Sequence, residues 1–295
     1  MSELGRRFRE HMVVRGFADA TRESYEGAMV GLIRAHGGVA PDQLTCAQVQ
    51  AHIARMIAER GRSWSTVNVH MSAFRCFYRD VLGRRAYEFT LPPRGRARRL
   101  PTVLDRASVA AILGAAADLR GRAILTMVYG SGLRVSEVCR LRPCHIESAP
   151  DRMLVRVEQG KGHKDRHTLL GQKALLVLRE YWRAYRPTGA WIFPGREGGR
   201  PISEYTAQRA YYVACRLAGI PRERAHGIHT LRHCFASHLM EDGVALPVIQ
   251  KLLGHSSLST TAVYCHVSRA LLGNTRSPGD VLKRGGGRAP RGGQP

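Results

Sequence analysis

The chain has 295 residues, enough for one large or two ordinary domains, and carries 46 Lys and Arg against 23 Asp and Glu, a formal net charge of +23. This charge predicts a polyanionic partner, most simply nucleic acid, although arginine enrichment from a GC-rich genome would also produce it. The seven cysteines include no C-x-x-C pair, which argues against a disulfide framework or zinc ribbon and favours a reducing cytoplasm. The N-terminus lacks the apolar region of a signal peptide, and no run reaches the length of a membrane span.

Residues 2–83 are predicted to form four helices joined by short breaks. Apolar positions recur there at helical spacing, and Ser, Thr, Asp and Gly stand at the expected ends of the helices. The sequence therefore predicts a small all-helical domain over residues 1–88.

A basic, proline-rich segment follows, and it predicts a linker over residues 89–101. The text TLPPRGRARRLP contains three prolines and no acidic residue. Two interpretations stay open for this segment: a solvated tether, or a strap that lies on DNA phosphates. In the second case the contacts come from Arg94, Arg96, Arg98 and Arg99.

A second domain is predicted over residues 102–275, mainly helical with a small β-sheet or hairpin. Alternating apolar residues predict strands at 152–158 and 166–170, on either side of a Gly/Lys turn. Helices are predicted at 105–117, 120–130, 172–185, 203–218, 230–242, 246–253 and 258–264. The basic, Gly- and Pro-rich tail at residues 276–295 is expected to fray.

Two segments of the second domain expose a cation beside glycines. In GSGLRVSEVCRLR, Arg134 follows a glycine-rich turn at an expected helix start, where free N–H groups favour anions. In GKGHKDR, Lys161 stands between glycines at the hairpin turn. Each residue taken alone fits an ordinary surface cation as well as a phosphate ligand.

The segment HTLRHCFASHL, residues 229–239, places three histidines and an arginine on a helix. His229 and Arg232 are three residues apart and so share one face. A metal site is not predicted, because the glutamate of H-E-x-x-H is missing and the Arg232 charge repels a cation. His233 and His238 are interpreted as structural or DNA-facing residues.

Two more polar residues follow in LLGHSSLSTTAVYCHV. His255 comes directly after a glycine, and Tyr264 lies nine residues later on the next predicted helix. Taken alone, the tyrosine fits a core or interface aromatic residue.

The order Arg, Lys, His-x-x-Arg, Gly-His, Tyr resembles the catalytic domain of the tyrosine site-specific recombinases, the group of phage integrases, Xer recombinases and integron integrases. HTLRHCFASHLMEDGVALPVIQKLLGHSSLSTTAVYCHV is similar to the family signature nearly throughout. The four-helix region resembles the family's core-binding domain. The resemblance implies a two-domain C-shaped clamp on double-stranded DNA, and a homo-tetramer assembled on two recombination sites.

The resemblance also implies an enzyme that cuts and rejoins DNA through a covalent 3′-phosphotyrosyl intermediate, without metal, ATP or other cofactor. Tyr264 would be the nucleophile, Lys161 the general acid for the leaving 5′-oxygen, and His229 the group assisting proton transfer. Arg134 and Arg232 would clamp the scissile phosphate.

The remaining implied roles are supporting ones. His255 would donate a hydrogen bond to a non-bridging oxygen, and Glu137 would orient Arg134. Lys164 and Arg166 would contact DNA phosphates. Two alternatives stay open from the sequence: a type IB topoisomerase-like nicking and closing enzyme, and a DNA-binding regulator that has kept the fold without catalysis.

Overall fold

The computed structural model describes residues 2–58, 61–91, 102–158, 165–196 and 199–255. The chain divides into two compact units, Met1–Arg98 and Arg99–Pro295. Within the described ranges, no helix combines the length and the apolar character needed to cross a membrane.

The first unit is helical. Its helices are α1 (Glu3–Val14), α2 (Asp19–Ala35), α3 (Cys46–Ala58) and α4 (Trp64–Arg75), and α4 continues into a π-helical turn at Cys76–Val81. Ser2 and Ser63 cap α1 and α4, each accepting a backbone N–H three residues later at 3.2 Å.

The core of the first unit lies on the helix faces that the apolar spacing predicts. Among its members are Met12 of α1, Leu32 of α2, Ile53 of α3 and Phe74 of α4, none of which is exposed to solvent. Ile57, an apolar residue four positions after Ile53 on α3, is 37% exposed. The stripe of α3 that packs on its neighbours is therefore narrower than its apolar pattern.

The second unit begins with α5 (Arg106–Gly114), α6 (Leu119–Ser131) and the short α7 (Val135–Cys139), and continues into a three-stranded sheet. Strands β1 (Ile146–Ala149), β2 (Arg152–Val157) and β3 (Arg166–Leu169) pair antiparallel in that order, with Ile146 opposite Val155 and Val157 opposite Arg166. The helices that follow are α8 (Gln172–Tyr185), α9 (Glu204–Leu217), α10 (His229–Glu241) and α11 (Leu246–Leu253).

Helix α6 is the centre of the second unit. Its middle, residues 123–128, is buried on all sides, with Ala123, Leu125, Met127 and Val128 each at most 1% exposed, and the helix packs against α8, α9 and α10. A helix that is apolar all round needs such a complete shell. The end of this rigid helix sets the position of the residues that follow it.

The prediction of a mainly helical chain with a small sheet is confirmed. Two details differ: α5 ends at Gly114 instead of residue 117, and β1 adds a third strand to the predicted hairpin. The predicted helix at 258–264, the tail at 276–295 and residues 92–101 of the predicted linker lie outside the described residues.

Candidate active site

The first part of the site is the turn between α6 and α7. Gly132 ends α6 with a φ of +61°, and a Cβ added there would collide with the ring of Phe235. Only glycine fits both the left-handed backbone and this close approach. The turn leaves Arg134 directly before α7, where the Glu137 carboxylate accepts the Arg134 backbone N–H and its Nη1, both at 2.7 Å.

Arg232 approaches the same place from α10. The residue is 4% exposed, and its guanidinium donates to the carbonyl oxygen of Gly132 at 2.5 Å and to that of Leu253 at 2.6 Å. Its Nη1 also lies 3.7 Å from Glu137 Oε2. A buried guanidinium needs such partners, since an unpaired charge in the interior is strongly destabilising.

Arg166, the first residue of β3, meets the cluster from the sheet. Its side chain is 8% exposed, and its two Nη atoms donate to the two carboxylate oxygens of Glu137 at 2.8 and 2.7 Å. Its Nε donates to the carbonyl oxygen of Leu252 at 3.0 Å. The donor groups of Arg166 are thus directed into the protein.

Glu137 is the common partner of these arginines. Its side chain is 10% exposed. Burial raises the pKa of this carboxyl, but the hydrogen bonds and charge of Arg166, the Arg134 amide and the Arg232 charge lower it further, to about 2. Glu137 therefore contacts three arginines, where the sequence analysis assigned it only to Arg134.

His255 joins the cluster through the end of α11. The helix stops at Gly254, with a φ of +65°, and the His255 N–H donates to the Gln250 carbonyl at 3.2 Å. Burial and the nearby charges of Arg232, Arg134 and Arg166 lower the pKa of His255 to about 4. The imidazole is consequently neutral at neutral pH.

His229 opens helix α10, one turn before Arg232. Its side chain is exposed, yet the protein around it and the charge of Arg232 lower its pKa below the usual histidine value. At neutral pH it is a neutral imidazole that solvent and a substrate can reach.

The other two histidines of α10 have different environments. His238 is buried, with Nδ1 2.9 Å from the Tyr129 hydroxyl and Nε2 3.1 Å from the Leu104 carbonyl oxygen, which fits the predicted structural role. His233 is partly buried, and burial, His229 and Arg232 lower its pKa to about 4.

A cluster that could hold a metal ion occurs in the other unit. There, among the described residues, ligand atoms of His11, Cys76 and Asp80 lie within 4.8 Å of one another. None of them belongs to the segment HTLRHCFASHL, for which a metal site is not predicted.

Several predicted site residues lie outside the described part of the chain. They are Arg94, Arg96, Arg98, Arg99, Lys161, Lys164 and Tyr264. Sequence reasoning also missed the backbone acceptors at Gly132, Leu252 and Leu253, because a carbonyl group leaves no residue-specific signal.

The cluster as a whole carries excess positive charge. Arg134, Arg166 and Arg232 converge on the single carboxylate of Glu137, which leaves two net positive charges. Arg134 keeps 22% of its side chain exposed, so part of this charge is accessible. A fixed array of guanidinium donors is suited to a phosphate whose negative charge grows in a transition state.

Comparison with known proteins agrees with this geometry. Residues 102–270 match the model of the phage integrase family, and residues 4–88 match the N-terminal SAM-like domain of phage integrases. The protein y4qK of Sinorhizobium fredii, named as an integrase/recombinase, is 38% identical over 285 residues, covering 96% of this chain and 91% of that protein.

A further relative supports the same family, and a solved structure supports the fold. The tyrosine recombinase XerC of Xylella fastidiosa strain M23 is 36% identical over 269 residues, covering 86% of this chain and 88% of XerC. The structure of the Tn1549 transposon integrase in complex with transposon right end DNA shares the fold, with a TM-score of 0.67 and 17% identity over 88% of this chain and 94% of that one. The chain belongs to the phage integrase family and is a tyrosine site-specific recombinase, an enzyme that cuts and rejoins DNA through a covalent phosphotyrosyl intermediate.

Proposed function

We propose that Tyr264 is the nucleophile of this recombinase and that Arg134 and Arg232 hold the scissile phosphate. The observation that carries the proposal is the convergence of both arginines on Glu137, with His255 beside them. Because Glu137 holds both arginines in fixed positions, the donors are preorganised, which is the property that makes electrostatic stabilisation of a transition state effective.

The covalent step exchanges one phosphate ester for another. A bond forms between the Tyr264 phenol oxygen and phosphorus, and the bond from phosphorus to the 5′-oxygen breaks. Because a phenol has a pKa near ~10, a base must take its proton, and the neutral, exposed His229 is suited to this. Lys161 donates a proton to the leaving 5′-oxygen, which departs as a neutral hydroxyl, and the phosphotyrosyl diester keeps the single negative charge of the original phosphate.

His255 has a different role from His229. As a neutral imidazole it donates one hydrogen bond to a non-bridging oxygen without adding a third full charge to the clamp. Lys164 and the arginines at 94, 96, 98 and 99 contact DNA phosphates outside the reacting centre.

We further propose that the enzyme works in the cytoplasm as a homo-tetramer on two recombination sites. The scattered cysteines suit a reducing compartment. Sedimentation of the protein with site-bearing duplexes tests the assembly. A species of four chains and two duplexes is expected, and a largest species of one chain per duplex contradicts the tetramer.

The catalytic proposal is tested with a covalent-trapping experiment. Duplexes of randomised sequence that become attached to the protein are selected and sequenced, and the selected site is rebuilt as a nicked suicide duplex. Wild-type protein is expected to attach to it, whereas Tyr264→Phe is not. Tyr205→Phe, which alters a tyrosine that is 77% exposed on α9, is the matched control and should attach normally.

The products separate recombination from simple nicking and closing. Two plasmid-borne copies of the selected site should exchange strands. Relaxed circles without exchange would instead favour a topoisomerase-like reaction. Attachment that persists in Tyr264→Phe would overturn the assignment of the nucleophile.

A further inference from the structure

We propose that Arg166 is a positioning residue for strand cleavage, acting through Glu137, and not the DNA-phosphate contact expected from its place in the basic hairpin. The inference rests on the proposed function of Arg134, Arg232 and His255. The structure joins Arg166 to the segments that carry all three of them.

The first argument is the orientation of the guanidinium. All three nitrogen atoms of Arg166 donate inward: Nη1 and Nη2 to Glu137, and Nε to the Leu252 carbonyl oxygen. Both Nη atoms of Arg166 pair with one carboxylate, so binding a phosphate through this edge of the guanidinium would require Arg166 to leave Glu137. The Glu137 carboxylate would then lose its two hydrogen bonds from Arg166. Removing a partner from a buried charge is strongly destabilising.

The second argument comes from the other contacts of the Glu137 carboxylate. The same carboxylate accepts from the Arg134 side chain and backbone and lies beside Arg232. The two parallel hydrogen bonds from Arg166 fix the plane of the carboxylate, and that plane sets the direction of the other contacts. Arg166 thus orients Glu137 and, through it, the Arg134 half of the phosphate clamp, without touching the phosphate.

The third argument is the contact between Arg166 and the turn that presents His255. A Cβ added to Gly254 would lie 2.7 Å from Arg166 Cδ, so the arginine stem packs directly on this glycine. The Leu252 carbonyl is bound by the same side chain. Arg166 therefore supports the end of α11, from which the chain continues to His255.

Its place in the sequence adds a fourth connection. Arg166 is the first residue of β3, directly after the segment 159–165 that carries Lys161. The partner of Glu137 thus lies five positions after Lys161 in the sequence.

Replacement by lysine separates the two roles. Lysine keeps the charge and binds phosphate well as a point charge, but it cannot make two parallel hydrogen bonds to one carboxylate. At saturating concentrations of the selected suicide duplex, Arg166→Lys is expected to slow single-turnover attachment about 100-fold, the effect of a misplacement near 1 Å. The dissociation constant should stay within about twofold of wild type. If Arg166 instead contacts a DNA phosphate, lysine can replace it, and Arg166→Lys should slow attachment only slightly.

The salt dependence of binding gives an independent readout. The logarithm of the association constant falls linearly with the logarithm of the salt concentration. Loss of one phosphate contact makes this fall less steep, by about 0.9 in the magnitude of the slope. For Arg166→Met on a duplex of defined sequence, the slope should equal that of Arg152→Met, a matched control that removes an arginine 67% exposed on β2. A slope that is less steep than that of the control by about 0.9 would overturn the proposal.

The dependence on Glu137 is tested by combining variants. If Arg166 acts through Glu137, Arg166→Lys should cost less than about threefold in rate when added to Glu137→Gln. If the rate of the double variant falls by the product of the two single-variant losses, Arg166 does not act through Glu137. Loss of cooperative thermal unfolding in both Arg166 variants would also overturn the proposal, because Arg166 would then be required for folding itself.

Wild type and Tyr264→Phe run in parallel keep the two proposals distinguishable. Absence of Tyr264-dependent attachment in wild type refutes the catalytic assignment. Normal wild-type attachment together with an unaffected rate in Arg166→Lys refutes only the positioning role.

Discussion

Arg232 donates a 2.5 Å hydrogen bond to the carbonyl oxygen of Gly132, a residue 100 positions earlier in the chain. The acceptor is backbone, held by the end of the buried helix α6 and by the left-handed turn at Gly132. The direction of the Arg232 guanidinium is thus set by the main chain of another helix. Side-chain substitutions around it leave this constraint in place.

Arg232→Lys is expected to reduce the rate of covalent attachment by about 100- to 1,000-fold, the range for removing one preorganised donor. A lysine retains the charge but reaches only one of the two carbonyl groups that now bind the guanidinium. Single-turnover attachment to the suicide duplex measures the effect. Arg140→Lys, at an exposed position after α7, is the control and should react like wild type. A rate within threefold of wild type for Arg232→Lys would contradict the role of the fork.

Glu137→Gln should change how stability depends on pH. The folded-state pKa of Glu137, about 2, lies below its ordinary value of 4.5. The carboxylate therefore contributes stability above pH ~4.5, and this contribution, on the order of 3 kcal/mol, is lost as the pH falls toward ~2. Urea denaturation should find the variant less stable at pH 7 and closer to wild type at low pH.

A matched control for this measurement is Glu180→Gln, which changes an exposed carboxylate on α8. Its stability difference from wild type should stay within about 0.5 kcal/mol at pH 7. If Glu137→Gln follows the same flat course, the carboxylate does not hold the arginines in solution.

His255 should stay neutral until the pH approaches 4 in the DNA-free protein. Because its folded pKa lies below the ordinary 6.5, its contribution to stability is present above pH ~6.5 and is lost as the pH falls through ~4. NMR titration of the imidazole protons, assigned with His255→Asn, measures the midpoint. Adding duplex DNA should raise this pKa, since a bound phosphate favours the charged form. A midpoint near 6.5 without DNA would contradict the burial of His255 beside the three arginines.

Gly254→Ala is expected to lower stability and to slow attachment. Its φ of +65° disfavours any side chain, and the added Cβ would lie 2.7 Å from Arg166 Cδ. Gly219→Ala is the control, since Gly219 has a φ of +68° and nothing within 4 Å of the added carbon. Both variants should lose about 1–2 kcal/mol from the backbone, and only Gly254→Ala should lose more and react slowly. If both variants lose the same amount of stability, the Arg166 side chain moves away from the added Cβ without cost.

The sequence predicts those parts of the molecule that depend on local spacing. Helical periodicity identifies α3 and its buried Ile53, and the three-residue spacing of His229 and Arg232 places both on α10. Strand β1, with the text IESA, is too short to show alternation, so only the hairpin formed by the next two strands is predicted.

The arrangement within the site depends on contacts that spacing does not contain. Arg166 and Glu137 are 29 positions apart, and Arg134 and Gly254 are 120 apart. Nothing in the residue types tells whether Arg166 points to DNA or to Glu137, because a guanidinium suits both. The tertiary fold decides, because β3 packs against α11 and its Arg166 reaches Glu137 of α7.

The last turn of α11 also bears on the order of folding events. Its carbonyl groups at Leu252, Leu253 and Gly254 are bound by Arg166, Arg232 and Arg134, which are 86, 21 and 120 positions away. Contacts across such loops form late, because closure entropy must be overcome first. In refolding followed by pulsed hydrogen exchange, helical circular dichroism should therefore return before the His255 amide becomes protected. The chain would become helical first and catalytically competent only at the end.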